Sequence, residues 1–200
     1  MSWDAGRRGV TCSCAHGPVA RSRAVATLAA LICAATMATA CNAPRMPGSS
    51  GHPLDGGEAP RFSVQSQAAR DVGVPGSPTT RVTVLDFWAS WCVPCVRSLP
   101  GMERLYRSHH AEGLQVIGVN IDEEASVAEQ AAADAGTTFP VVHDPQGRVA
   151  RSYGIRSIPM TFVIDGQGIV RWSGRDPEAM RVAVETLLLE AAGGAQARLR

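Results

Sequence analysis

The 200-residue sequence predicts an α/β fold, a central mixed β-sheet with helices on both faces. Three observations predict it. "RVTVLDFWAS" (81–90), rich in β-branched and aromatic residues, leads into helical spacing and then into "LQVIGVNID" (114–122), a nearly continuous apolar run expected of a buried parallel strand. "MTFVIDGQGIVRWSG" (160–174) reads as two strands turned at Gly166-Gln167-Gly168. "DPEAMRVAVETLLLEAA" (176–192) closes the chain as an amphipathic helix. A hydrophobic content of 45% with 18% charged residues is that of a globular chain.

Before the domain comes a leader. "AVATLAALICAATMATA" (24–40) follows Arg21 and Arg23: a positive flank, a short apolar core and small residues at its end, the pattern of a secretory signal. It is short and Ala/Thr-rich for a membrane span. Ala38-Thr39-Ala40 meets Cys41 as in a bacterial lipoprotein signal, although Ala38 stands where leucine is usual. Residues 1–40 are therefore expected to be a lipoprotein-type signal peptide and Cys41 the lipidated residue. Plain secretion and an uncleaved anchor are the alternatives, and all three place the domain outside the cytoplasm. Residues 41–58 are dense in Pro, Gly and Ser and predict a flexible linker with a solvated His52. The domain is expected over 59–192, with a tail at 193–200.

Within the domain, "RFSVQS" (61–66) alternates as a short first strand and "DVGVPGSPTT" (71–80) reads as a turn-rich connection. Leu99, Met102, Leu105 and Tyr106 have helical spacing, with a kink expected at Pro100. "EASVAEQAAADAG" (124–136) predicts a helix closed by Gly136, "FPVVHD" (139–144) a strand, and "QGRVARSYG" (146–154) a short helix. Asp176 as N-cap and Pro177 in the first turn start the last helix.

The formal charge of +1 leaves no electrostatic footprint for nucleic acid. All nineteen basic residues are arginine, which excludes Schiff-base and P-loop chemistry, both of which need lysine. Of six cysteines, Cys12, Cys14 and Cys33 lie in the leader, and with Cys41 lipidated only Cys92 and Cys95 remain for chemistry. Zinc would want a second pair or nearby histidines, and His109, His110 and His143 are distant in sequence. Two structural thiols would leave the flanking pattern accidental. A redox pair explains more. A strand running into a helix puts Cys92 at the helix N-terminus, where unpaired N–H groups stabilise a thiolate, and Cys95 one turn on, placed to resolve a mixed disulfide. Cys92 is then the exposed nucleophile and Cys95 the buried partner. Pro94 suits the first turn because it has no N–H to leave unpaired.

"DFWASWCVPC" (86–95) and "YGIRSIPMTFVIDGQG" (153–168) resemble the thioredoxin superfamily, and the stretch between them resembles its insertion-bearing, membrane-tethered TlpA/ResA branch. The resemblance spans about residues 59 to 190. It implies a thioredoxin-like fold with the TlpA-type insertion and an enzyme with a redox-active Cys92–Cys95 disulfide. That enzyme exchanges electrons with disulfides or thiols of envelope proteins, in the reductive direction, as in cytochrome c maturation or oxidase assembly. A membrane electron donor is implied; no cofactor or metal is expected, and the chain is expected to be a monomer. Trp91 matches the tryptophan before the pair and Ile158-Pro159 the family's cis-proline. Two positions depart from the tethered branch: Asp86 stands where many members carry asparagine, and Ser98 where many carry glutamate. A buried Asp86 would have a raised pKa and is expected to move the proton of Cys95. A copper metallochaperone using His143, a peroxiredoxin, or a non-catalytic binding module on this fold are the competing readings.

Overall fold

Every residue of strand β3 (Val82–Trp88) is buried, as a strand must be when it has neighbours on both edges and helices on both faces. The structure, a computed structural model, describes residues 46–68 and 70–197. The expected signal peptide (1–40) and the lipidation site Cys41 lie outside the described residues. β3 pairs in parallel with β4 (Leu114–Asn120) and antiparallel with β6 (Met160–Asp165). β5 (Val141–His143) extends the sheet beyond β4, and β7 (Val170–Gly174) extends it beyond β6, giving the order β5-β4-β3-β6-β7. Helix α1 (Val93–His109) makes the crossover between β3 and β4. The β6–β7 hairpin turns on Gly168, whose φ of 84° side chains rarely adopt. The mixed sheet is as expected.

Strand alternation sorts the core. Val82, Val84 and Trp88 face α1 and the last helix, α4 (Pro177–Ala197), with Leu99, Met102, Val184 and Leu187. Leu85 and Phe87 face the opposite layer, closed by the short helix α3 (Arg148–Ser152) and by Val72 and Val74. Asp86 shares the parity of Val84 and Trp88, so it points beneath α1. Helix α2 (Ala125–Asp134) and β5 occupy the stretch expected as the insertion, and Gly136 closes α2 with a φ of 69°.

Three expectations change. β1 (Phe62–Gln65) forms, but it pairs antiparallel with β2 (Asp71–Val74) in a separate two-stranded sheet, so the turn-rich connection begins only at Pro75. Val72 and Val74 gain core burial there, and Gly73 is obligatory because a Cβ would lie 2.2 Å from the Phe62 carbonyl oxygen. Helix α4 continues past residue 192 to Ala197, so the expected tail starts as helix. Gly193 and Gly194 each cost about 1 kcal/mol there, too little to stop a helix already nucleated and capped by Asp176.

The third change concerns the linker. Its second part is a strap laid along β7: Met46 N–H donates to the Arg171 carbonyl at 3.1 Å and Ser50 N–H to that of Ser173 at 2.7 Å. Gly56 N–H donates to Val170 and Ala59 N–H to Gly168, both at 2.8 Å, and Val170 N–H returns a bond to Gly57 at 2.9 Å. These are main-chain bonds, which any composition can make, so Pro/Gly richness did not reveal them. His52 is correspondingly half-buried rather than fully solvated. Its ring packs edge-on to Phe162 at 5.0 Å between centroids.

Candidate active site

Cys92 is the N-cap of α1: its backbone is extended and its carbonyl accepts the Val96 N–H at 3.0 Å. No side chain caps this helix start and no acidic residue lies in its first turn. The positive end of the helix is therefore left for whatever charge develops on Cys92. Pro94 sits in that first turn, as expected. Cys92 and Cys95 form a disulfide with a Cα–Cα distance of 5.2 Å. Cys92 is 6% exposed and Cys95 not at all, so the outer sulfur is the predicted one, though it is less open than expected. Trp91 and Val93 stand out beside it, at 66% and 57% exposure.

The loop carrying Trp91 is held from β4. Ser90 donates to the Asp122 carboxylate twice, from its N–H at 2.9 Å and its hydroxyl at 3.0 Å. Asn120 Nδ2 donates to the same carboxylate at 2.7 Å, and the Asp122 N–H donates to Asn120 Oδ1 at 2.9 Å. Asp122 was read from sequence as the end of the apolar run 114–122. Its clamp was missed because it depends on the end of β4 lying beside the end of β3, at the Trp88–Asn120 register. His143 Nε2 hydrogen-bonds the Asp122 carbonyl at 2.7 Å, which accounts for that ring nitrogen structurally.

Asp86 lies beneath α1, 1% exposed. Thr161, directly opposite on β6, donates its hydroxyl to Oδ1 at 2.6 Å, while Oδ2 is buried with no hydrogen-bond partner. Burial pushes the carboxyl pKa from 3.8 up to about 6, with the Thr161 bond opposing it. Thr161, two residues after Pro159, was not singled out from sequence. Ser98 donates to the Cys95 carbonyl at 2.7 Å, an ordinary helical back-bond. The Ile158–Pro159 peptide is cis. Asp86, Pro94, Ser98, Pro159 and Thr161 are among the residues that line a cavity of about 680 Å³. A buried acid, the first turn of the redox helix and the cis-proline loop thus meet at one opening.

Comparison with known proteins agrees with this architecture. ResA, a thiol-disulfide oxidoreductase from Geobacillus thermodenitrificans, is 40% identical over 87 residues, 44% of this chain and 50% of the relative. The chain spans about half the length of the two Geobacillus ResA relatives it matches. The thioredoxin-like protein YneN of Bacillus subtilis is 32% identical over 120 residues, 58% of this chain and 69% of the relative. Among solved structures, a provisionally assigned thiol:disulfide interchange protein DsbE from Chlorobium tepidum is 34% identical. It superposes with a TM-score of 0.60 over 66% of this chain and 95% of its own. The fold is thioredoxin-like, as the sequence resemblance implied. The AhpC/TSA family model matches residues 56–173, more than half of the chain, and the chain belongs to that family as a thioredoxin-like member.

Proposed function

We propose that the protein is a thiol:disulfide oxidoreductase of the cell envelope that passes electrons from the Cys92–Cys95 dithiol to disulfides of other proteins. The observation that carries this reading is the placement of the pair: Cys92 at an acid-free helix start, bonded to a buried Cys95 above a buried carboxyl. The names of the ResA and DsbE relatives support it.

In the reduced enzyme the helix start favours the Cys92 thiolate, which attacks a substrate disulfide and forms a mixed disulfide. Cys95 must then lose its proton to resolve it. Asp86 is the buried base available, and a pKa near 6 lets it accept that proton at neutral pH and pass it to the adjoining cavity. Cys95 attacks Cys92, the substrate leaves as a thiol, and the 92–95 disulfide is returned to the dithiol by a membrane electron donor. The cis Ile158–Pro159 loop offers backbone to the incoming segment. Substrates of the cytochrome c maturation or oxidase-assembly type fit a reductive role. Lipid on Cys41 would hold the domain, as a monomer, facing the periplasm or the extracellular side.

Trapping with Cys95→Ser tests the reading. Disulfide-linked partners released by dithiothreitol, and absent with Cys92→Ser, are the expected result. Two redox-silent cysteines with no adducts would overturn it. Labelling with a fatty-acid probe that vanishes in Cys41→Ser tests the anchor.

A further inference from the structure

A second cavity, of about 850 Å³, lies between the strap and residues 151–157 and shares Arg175 and Asp176 with the redox cavity. Its wall carries Arg151, Arg156 and Arg175, none of which is in an ion pair among the described residues. Arg175 instead touches the Ser157 hydroxyl, on the loop that leads to Pro159. Asp176, the acid on this wall, is committed to the helix: its Oδ1 accepts the N–H groups of Glu178 and Ala179. His52 accepts the Leu54 N–H at Nδ1, so the neutral ring carries its proton on Nε2, beside Gly154. The cavity thus carries three arginines against one carboxylate, that of Asp176, although Arg151 also donates to the Gln146 carbonyl.

We propose that these arginines form a specificity subsite for an acidic side chain on the polypeptide whose cysteine reacts at Cys92. This inference rests on the oxidoreductase reading. Guanidinium forks grip carboxylates in a bidentate way, and charge complementarity selects among partners that all present a cysteine. Arg156 precedes Pro159 by three residues, at most about 10 Å of chain, so the acid belongs within about three residues of the substrate cysteine. Exposed Trp91 and Val93 supply an apolar surface beside the disulfide. The chemistry balances. The Cys92 thiolate bonds the peptide sulfur and the sulfur it was bonded to leaves with the electron pair and takes a proton. Cys95 then closes the 92–95 disulfide and releases the peptide thiol, so the dithiol is oxidised and the peptide disulfide reduced.

The test uses three peptides, each with one cysteine in a mixed disulfide with 2-mercaptoethanol and Glu, Gln or Arg three residues away. Oxidation of the reduced protein by each is followed by mass spectrometry. The Glu peptide is expected to react about tenfold faster than the Gln peptide at low salt, an advantage that shrinks in about 1 M salt. In Arg151→Gln/Arg156→Gln/Arg175→Gln the ratio should fall to near one. Arg156→Gln alone, whose parent side chain is exposed and makes no hydrogen bond among the described residues, should lower the ratio part-way and guards against a triple variant that does not fold. Equal rates for the Glu and Gln peptides, or a ratio that persists in both variants, would overturn the proposal. Binding of phosphatidylglycerol vesicles that needs the three arginines, without a peptide preference, would assign the surface to a membrane and also overturn it. Failure of every peptide to react would remove the oxidoreductase reading itself.

Discussion

Asp86 is a charge placed where a charge is costly. Its folded pKa of about 6 lies above the ordinary 3.8, so the folded state holds a proton that the unfolded chain has lost between those values. The sign follows: the folded form is favoured at low pH, and this contribution is lost as pH rises through 6. Fully realised, the shift corresponds to about 3 kcal/mol. Asp86→Asn is therefore expected to raise the unfolding free energy by about 1–3 kcal/mol at pH 8 and hardly at all at pH 4, as read from urea melts. The same variant, with Cys95 intact, should lose the pH step near 6 in resolution of the mixed disulfide by Cys95; a step that stays would show that Asp86 does not carry the proton. The cysteines, Pro94, Trp91 and Asp86 were legible because they sit in one ten-residue stretch. Thr161 was not, since its contact with Asp86 spans 75 residues and exists only through the β3–β6 register.

Between elements, two carboxylates act as clasps. Asp122 ties the loop before Cys92 to the end of β4 through four hydrogen bonds, so Asp122→Ala leaves the Ser90 N–H and Asn120 without their acceptor. A stability loss of about 2 kcal/mol and a roughly tenfold slower thiol exchange are expected, measured by denaturation and by stopped-flow. Glu103, on α1, is 6% exposed and accepts bonds from Thr138 N–H and Oγ1 at 2.7 and 2.6 Å and from Arg107 at 2.5 Å. Burial alone would raise its pKa, but these bonds outweigh burial and hold it below the usual range. Its stabilisation is thus present above the unfolded pKa and lost as pH falls through the lowered folded value. Glu103→Gln should cost about 1–3 kcal/mol at pH 7 and much less in acid, where the wild-type carboxylate is itself protonated. The long strands and helices were legible from periodicity, because they bury one face or both. β2 was obscured by Gly73 and Pro75, and the strap by having no hydrophobic periodicity, since backbone bonds and the Ser49 and Ser50 hydroxyls hold it.

For the molecule as a whole, that strap closes the open edge of β7 and walls the arginine-lined cavity. A chain starting at residue 60 loses its four main-chain bonds to β7 and the Ala59 bond to Gly168, on the order of 3 kcal/mol, and bares a strand edge. Against a chain starting at residue 46, it is expected to melt lower and to aggregate, as measured by urea denaturation and light scattering. Docking of the strap also sets the length of the leash. With the proposed lipid on Cys41, five chain steps reach docked Met46, about 18 Å when extended, whereas a free linker over 41–58 would reach about 60 Å. A domain on the shorter leash sweeps only a thin shell above the bilayer. So tethered, it would meet membrane-bound thiols at high effective concentration, while dissolved ones reach it only at their bulk concentration.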